Sequence, residues 1–297
     1  RDEAQKRSEQ LEVDHYAIDL DLSGVLDAPS EGPHTFGSKT TVRFRALEDE
    51  VSTFIDLRAA HNVSATLNGE DIDTSGYSSD RGLPLTGLRG ECELVVTADL
   101  EYTTTGEGLH RMVDPVDNEV YLYTQFESAD AKRVFACFDQ PDLKATYSLA
   151  VTAPAHWEVV SNGATDNIAD AAGDTKIHTF VETEKMSTYL VALIAGPYHH
   201  VSDEFVDGDV RIPLRLLCRG SLAEHLDADD ARDMLARISA PDGLFGTDRT
   251  VVLVTHQHAD AATADAGGAG HGDVGWRCHK AQRQRRRFLI FRNGRRR

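Results

Sequence analysis

The chain has 297 residues, of which 40% are hydrophobic and 27% charged, and its formal net charge is −18 at pH 7. This length and apolar content suffice for one large domain, or two ordinary ones, with a buried core. No apolar run approaches the roughly 18 residues of a membrane-spanning helix, so we expect no membrane partner. The acidic excess disfavours nucleic acid as a partner.

Charge is unevenly distributed along the chain. Residues 277–297 contain ten Lys or Arg and no Asp or Glu, which leaves 21 basic and 49 acidic residues, a balance of −28, in the part before them. The basic run at residues 283–287 could bind nucleic acid or acidic lipid. Out-of-frame coding explains this run equally well.

The first two hundred residues alternate between apolar and polar positions, which is the pattern of half-buried strands. The segment HYAIDLDL, for example, puts Tyr16, Ile18, Leu20 and Leu22 on one strand face. Similar segments follow, separated by Asn-Gly, Gly-rich or Pro-containing turns. This pattern predicts a mainly β, antiparallel sandwich over residues 1–197.

The texture of the sequence changes after residue 197. IPLRLLCRG predicts one more strand, and SLAEHLDADDARDMLARI has helical spacing with Ser221 as N-cap and Glu224 three residues later. We interpret residues 198–243 as the start of a second domain. Residues 244–297 are rich in Ala, Gly, His and Arg without a sustained period, and we expect an irregular basic tail that packs no core.

Four cysteines are widely separated and form no C-x-x-C pair. This spacing argues against a disulfide framework and against a cysteine zinc site. A reduced, cytoplasmic setting is the simplest interpretation.

One stretch, YLYTQFESADAKRVFACFDQPD at residues 121–142, combines a strand pattern with polar residues at the strand end. Alternation places Gln125 and Glu127 on the same face, and a helix over residues 128–137, capped by Ser128, is predicted to follow. A carboxylate in this position could hold a cationic group, and the neighbouring amide could orient it. The alternative is a solvated sheet edge without a binding role.

Several blocks of this chain resemble the aminopeptidase N family of zinc metallo-aminopeptidases, particularly its bacterial cytosolic members. They are the first 22 residues, the stretch from GEGLHRMVDP to HWEVVSNG that contains YLYTQFESADAKRVFACFDQPD, and KMSTYLVALIAGPY. The blocks occur in the family's order, and the similarity extends to about residue 230.

The resemblance implies a saddle-like β-sandwich N-terminal domain, followed from about residue 200 by a thermolysin-like α/β catalytic domain. It implies that Glu127 binds the free α-ammonium of a peptide substrate and that Gln125 lines the pocket for the first side chain. It also implies zinc as the cofactor, peptides with a free N-terminus as substrates, and hydrolysis of the N-terminal residue as the reaction.

The chain contains neither the H-E-x-x-H helix nor the G-x-M-E-N segment that this family uses. No residue can therefore be assigned as a zinc ligand or catalytic base, and we expect the chain to be inactive on its own. A truncated or frame-shifted gene product explains the abrupt change to the basic tail. That hypothesis fails if neither alternative reading frame encodes these motifs downstream.

Two other functions remain open from the sequence. One is a non-catalytic β-sandwich module that binds peptides or proteins. The other is a metal hydrolase built on the tail, because His256, His258 and Asp260 match most of an H-x-H-x-D-H motif. Ala261 stands where that motif needs its last histidine, which favours a chance match.

Overall fold

The computed structural model of the protein describes residues 2–27, 33–207, 210–226, 229, 251–257 and 286–291. One compact unit spans Arg1–Pro197 and a second spans Tyr198–Arg292. The first unit contains the segment with Gln125 and Glu127.

The first unit consists of one short helix followed by twelve strands. The helix α1 spans Asp2–Gln10. The strands are β1 Leu11–Asp21, β2 Thr35–Ile55, β3 Ala60–Leu67, β4 Glu70–Asp71, β5 Leu83–Glu101, β6 Gly108–Val113, β7 Val120–Gln125, β8 Thr146–Pro154, β9 Glu158–Ser161, β10 Thr165–Asp170, β11 Thr175–Phe180 and β12 Leu193–Gly196. Single turns of 3₁₀ helix cover Ala131–Arg133 and Thr188–Leu190.

Two sheets form the body of this unit. The larger has eight strands in the order β10-β11-β8-β1-β2-β5-β3-β4, and the smaller has four in the order β6-β7-β12-β9. All pairings between these named strands are antiparallel except that between β1 and β8, which is parallel. The chain is therefore mainly β and largely antiparallel, as the alternating pattern predicts.

A shared apolar core lies between the two sheets. It includes Ile18 and Phe44 of the larger sheet and Leu109, Leu122 and Leu193 of the smaller one, all nearly inaccessible to solvent. Because buried positions alternate with exposed ones along β1, that strand packs only one face on this core. Packing of two sheet faces against one core is the architecture of a β-sandwich.

The second unit contains a separate four-stranded sheet. Its strands are β13 His199–Asp207, β14 Val210–Cys218, β15 Val251–Gln257 and β16 Arg286–Phe291, in that spatial order. β14 pairs with β15 in parallel, whereas β16 is antiparallel to β15. The strand predicted from IPLRLLCRG is present as part of β14.

Two sequence predictions for this unit differ from the structure. Gly220–His225 forms a 3₁₀ helix with Arg219 at its N-cap, so Ser221 is not the cap, and most of the predicted helix beyond it lies outside the described residues. The tail is not wholly irregular, because β15 and β16 fall within it. Their sequences, VVLVTHQ and RRFLIF, are rich in β-branched and aromatic residues, which favour strands.

Candidate substrate-anchoring site

Gln125 and Glu127 lie where β7 ends, on the less buried side of that strand. Gln125 is half-buried and Glu127 is exposed. The intervening Phe126 is only 2% exposed and Thr124 4%. The alternation read from the sequence therefore holds to the end of β7, and it presents the amide and the carboxylate on the face opposite the apolar core.

The buried neighbours Thr124 and Phe126 fix this strand end. The Thr124 hydroxyl donates to the Leu193 carbonyl (3.3 Å) and accepts a hydrogen bond from the Leu193 N–H (2.8 Å). In the β7–β12 ladder, Leu122 and Tyr123 of β7 pair with Ala195 and Ile194 of β12. The Thr124 side chain extends this connection by one residue. Phe126 packs edge-on against Phe135, with 6.1 Å between ring centroids.

The carboxylate of Glu127 is free to bind a ligand. Among the residues that the structure describes, none donates a hydrogen bond to it or forms an ion pair with it. An ionised carboxylate has about four acceptor positions and prefers charged donors such as an ammonium. A free carboxylate on a fixed strand end is therefore a suitable anchor for a cation.

Arg133 organises the turn that follows Glu127. The Asp130 N–H donates to the Phe126 carbonyl (3.0 Å), and the peptide bond between Glu127 and Ser128 is cis. Arg133 donates through Nε to Asp130 (2.7 Å) and through Nη2 to Glu107 (2.9 Å). The arginine thus ties the turn after β7 to the residue that precedes β6.

Gly108 lies directly opposite Gln125 in the β6–β7 ladder. Its φ is +60°, a conformation that side chains with a Cβ rarely adopt. A Cβ at this position would lie 2.8 Å from the Cβ of Arg133 and 2.9 Å from its Cδ. Glycine is therefore required here, and it leaves no side chain beside Gln125 on that strand.

An aromatic pair continues this face of β6 and β7 away from the strand end. The rings of His110 and Tyr123 are tilted against each other with centroids 4.7 Å apart. The Gly106 N–H donates to Nδ1 of His110 (3.1 Å), so that nitrogen is the acceptor and the ring's proton lies on Nε2. The pair forms an apolar wall next to Gln125.

The helix predicted over residues 128–137 is wrong. Only Ala131–Arg133 is helical, as a single 3₁₀ turn, and its N-cap residue Asp130 makes no capping hydrogen bond. The backbone groups of this segment bond elsewhere: Cys137 exchanges hydrogen bonds with Asp56, and the Lys132 carbonyl accepts from Arg58. Tertiary hydrogen bonds replace the i→i−4 ladder that a helix would need.

The described residues do not fit a zinc ion. No group of three His, Cys, Asp or Glu side chains among them could hold a metal. Of the tail motif, His256 lies on β15, whereas His258 and Asp260 lie outside the described residues. The described residues therefore do not supply the ligands for a zinc-dependent hydrolytic step.

The buried cysteines offer no alternative nucleophile. Cys137 is fully buried, and burial raises the pKa of its thiol well above the ordinary value, which keeps it protonated. Nor does any described helix reach the length and apolar character needed to cross a membrane.

Comparison with known proteins places the chain in a family. Residues 13–190 match the Peptidase M1 N-terminal domain. Aminopeptidase N of Streptomyces lividans is 49% identical over 230 residues, which are 77% of this chain and 26% of that protein. Aminopeptidase N of Acetobacter pasteurianus is 32% identical over 169 residues, covering 55% of this chain and 45% of the relative.

The chain thus spans about a quarter of the length of the Streptomyces relative. The family domain alone covers more than half of the chain and contains both Gln125 and Glu127. The mainly β fold agrees with these similarities, and the chain belongs to the M1 peptidase family.

Proposed function

We propose that this chain is the substrate-anchoring part of a zinc-dependent aminopeptidase that releases N-terminal residues from peptides. In this proposal Glu127 binds the free α-ammonium of the peptide, and Gln125 contacts its first side chain. The observation that carries the proposal is the exposed carboxylate of Glu127, which has no partner among the described residues and lies at the end of a strand whose other face packs on the core.

The chemistry explains how an exopeptidase selects its substrate. A terminal ammonium carries a positive charge and three donors, whereas an internal amide carries one neutral donor. A charge-assisted hydrogen bond is roughly twice as strong as a neutral one. Glu127 would therefore favour chain ends over internal peptide bonds, and the half-buried Gln125 amide would orient the residue next to it.

We propose further that the chain binds peptides without hydrolysing them by itself. Its 297 residues contain no H-E-x-x-H motif, and the described residues hold no cluster of metal ligands. A zinc ion supplies the activated water in metallopeptidases, so binding and hydrolysis would separate in this chain. The unit that begins at Tyr198 would be the start of the catalytic domain.

The test is to titrate the full chain with a tripeptide and to measure binding by isothermal titration calorimetry or NMR. The free tripeptide should bind more tightly than its N-acetylated form, and Glu127→Gln should remove about 1–3 kcal/mol of that preference. Glu48→Gln is the matched control, because it changes another exposed carboxylate that has no partner in the part of the chain that the structure describes. Equal affinity for both tripeptides in the unmodified chain would refute the anchoring role.

A second candidate function is that of a non-catalytic peptide-binding module. The lack of a metal-ligand cluster among the described residues favours it. Zinc analysis of the purified chain, together with hydrolysis of an amino-acid anilide, distinguishes the two. Stoichiometric zinc with turnover supports an enzyme, whereas binding without either supports the module.

The state of the thiols supports a proposal about the compartment. Cys92, Cys137 and Cys218 are buried and unpaired. Unpaired cysteines are typical of proteins from reducing compartments, and we propose a cytoplasmic setting on this basis. Fractionation of the source cells tests it, and recovery of the protein outside the cytoplasm would contradict it.

A further inference from the structure

The turn that carries Glu127 is held by few interactions of its own. Among the residues that the structure describes, none forms a hydrogen bond with Glu127, Ser128 or Ala129. The hydrogen bond that closes the turn joins the Asp130 N–H to the Phe126 carbonyl (3.0 Å). Because Phe126 is fixed in the core, the path of the chain through Glu127 depends on where Asp130 is held.

Arg133 holds Asp130 through both its side chain and its backbone. Its Nε donates to the Asp130 carboxylate (2.7 Å), and its backbone N–H donates to the Asp130 carbonyl (3.1 Å). Its Nη2 donates to Glu107 (2.9 Å), and only 18% of the arginine side chain is exposed. A planar guanidinium that bridges two carboxylates is held in one geometry, which a flexible surface ion pair is not.

The stem of Arg133 also lies against the strand beside Gln125. A Cβ on Gly108, the residue opposite Gln125, would lie 2.8 Å from the Arg133 Cβ and 2.9 Å from its Cδ. One arginine therefore contacts the strand next to Gln125 and fixes the turn that contains Glu127. A binding group needs such supporting contacts, because it must be held within about 0.5 Å of its productive position.

The charge of Arg133 opposes the binding of an ammonium group at Glu127. Like charges repel, and the two carboxylates paired with the arginine offset only part of this repulsion. If charge alone mattered, removal of the guanidinium would strengthen ammonium binding. If the arginine acts by fixing the turn, its removal would weaken ammonium binding. The two roles therefore predict effects of opposite sign.

We propose that Arg133 is a positioning residue for recognition of the peptide N-terminus. It holds the turn from Phe126 to Asp130 so that the Glu127 carboxylate stays on the same face as Gln125. This inference rests on the proposed function of Glu127 as the ammonium anchor. Arg133 does not touch the ammonium and acts through Asp130 and the hydrogen bond that closes the turn. A cation is thus required for the recognition of a cation.

The test compares the affinities of the full chain for trialanine and for N-acetyl-trialanine by calorimetry. Arg133→Gln should lower the preference for free trialanine about five- to tenfold. Arg133→Lys keeps the charge but lacks the planar fork, and it should lower the preference about two- to fivefold. The matched control is Arg89→Gln, at an exposed arginine paired with Glu50, which should leave the preference unchanged. An unchanged or increased preference in Arg133→Gln would overturn the proposal.

A double variant separates positioning from general damage to the chain. In a chain that already carries Glu127→Gln, the further change Arg133→Gln should leave the remaining preference for free trialanine unaltered, because no carboxylate is left to position. An equal loss of preference with and without Glu127 would contradict a role that acts through this residue. If Arg133→Gln does not fold, as judged by urea denaturation, Arg133→Lys decides by the same comparison.

Hydrogen exchange measured by NMR reports on the turn without any ligand. The Asp130 amide should exchange at least about fivefold faster in both Arg133 variants, because the turn opens more often. The Leu193 amide, which donates to Thr124 at the end of β7, should keep its rate. Unchanged exchange at Asp130, or equal acceleration at Leu193, would refute a specific effect on the turn.

The outcomes distinguish failure of this inference from failure of the proposed function. Equal affinity of the unmodified chain for trialanine and its N-acetylated form would refute the anchoring role of Glu127 itself. A preference that is present in the unmodified chain and survives both Arg133 variants would refute only the role of Arg133.

Discussion

Replacement of Gly108 by alanine should destabilise the strand pair that carries Gln125. The new methyl group would lie 2.8 Å from the Arg133 Cβ and 2.9 Å from its Cδ, closer than carbon atoms pack. Arg133 would have to move, and its hydrogen bonds to Asp130 and Glu107 would lengthen or break. The change therefore reaches the turn that follows Glu127.

Two contributions make up the expected cost. Alanine in the left-handed conformation, at φ +60°, costs about 1–2 kcal/mol. Each of the two Arg133 ion pairs contributes about 0.5–1 kcal/mol, since Glu107 is half-exposed in one of them and the arginine side chain is 18% exposed. The free energy of unfolding should fall by about 2–4 kcal/mol.

Gly90→Ala separates the two contributions. Gly90 also has a positive φ, +53°, but a Cβ there would meet nothing within 4 Å. Urea denaturation should give a loss of about 1–2 kcal/mol for Gly90→Ala, and a clearly larger loss for Gly108→Ala. Equal losses in the two variants would refute the argument that Gly108 is needed for close packing against Arg133.

Three further outcomes follow from buried groups. Thr124→Val should lower the free energy of unfolding by about 1–3 kcal/mol in urea, because the Leu193 N–H and carbonyl lose their partner; a loss no greater than for an exposed Thr→Val change would contradict this. Burial raises the pKa of the Asp139 carboxyl above its usual 3.8, so the folded state binds this proton more tightly than the unfolded chain. Its contribution to stability should decline as the pH rises through the raised pKa, and Asp139→Asn should abolish this decline; parallel pH profiles of stability would disprove it. Cys137, whose thiol pKa is raised by burial, should react with thiol reagents only after unfolding, as mass spectrometry of its peptide would reveal, and rapid labelling of the native chain would refute its burial.

Local alternation was sufficient to predict most strands of the first unit and the orientation of the strand end at Gln125. Tyr16, Ile18, Leu20 and Leu22 are all buried, and Phe126 is buried between the more exposed Gln125 and Glu127. Period-two patterning works here because each face of these strands meets only one environment. Family resemblance then assigned roles to Gln125 and Glu127, which local pattern alone left open.

Predictions failed where distant parts of the chain determine the backbone. Residues 128–137 have a composition that is compatible with a helix, but the backbone groups of Lys132 and Cys137 bond to Arg58 and Asp56, which are more than seventy residues away in the sequence. The contact between Gly108 and Arg133 joins residues that no short motif connects. In the sequence, the only signal for this contact is the glycine itself, at the start of the segment that forms β6. Tertiary contacts override local preference in each case.

The buried position of Arg7 was likewise not predictable from its own surroundings. The helix α1 is highly polar, and nothing in DEAQKRSEQ distinguishes this arginine from Lys6 beside it. The distinction comes from Phe54 and Asp56 at the end of β2, which supply the ring and the carboxylate that accommodate a buried guanidinium. Sequence separation of almost fifty residues hides this pairing.

A crystal structure of the full chain with a bound tripeptide tests the central claim most directly. Our account predicts the α-ammonium nitrogen within about 3 Å of a Glu127 carboxylate oxygen, with the first side chain against Gln125. A tripeptide bound elsewhere on the chain, or bound with its N-terminus pointing away from Glu127, would contradict it.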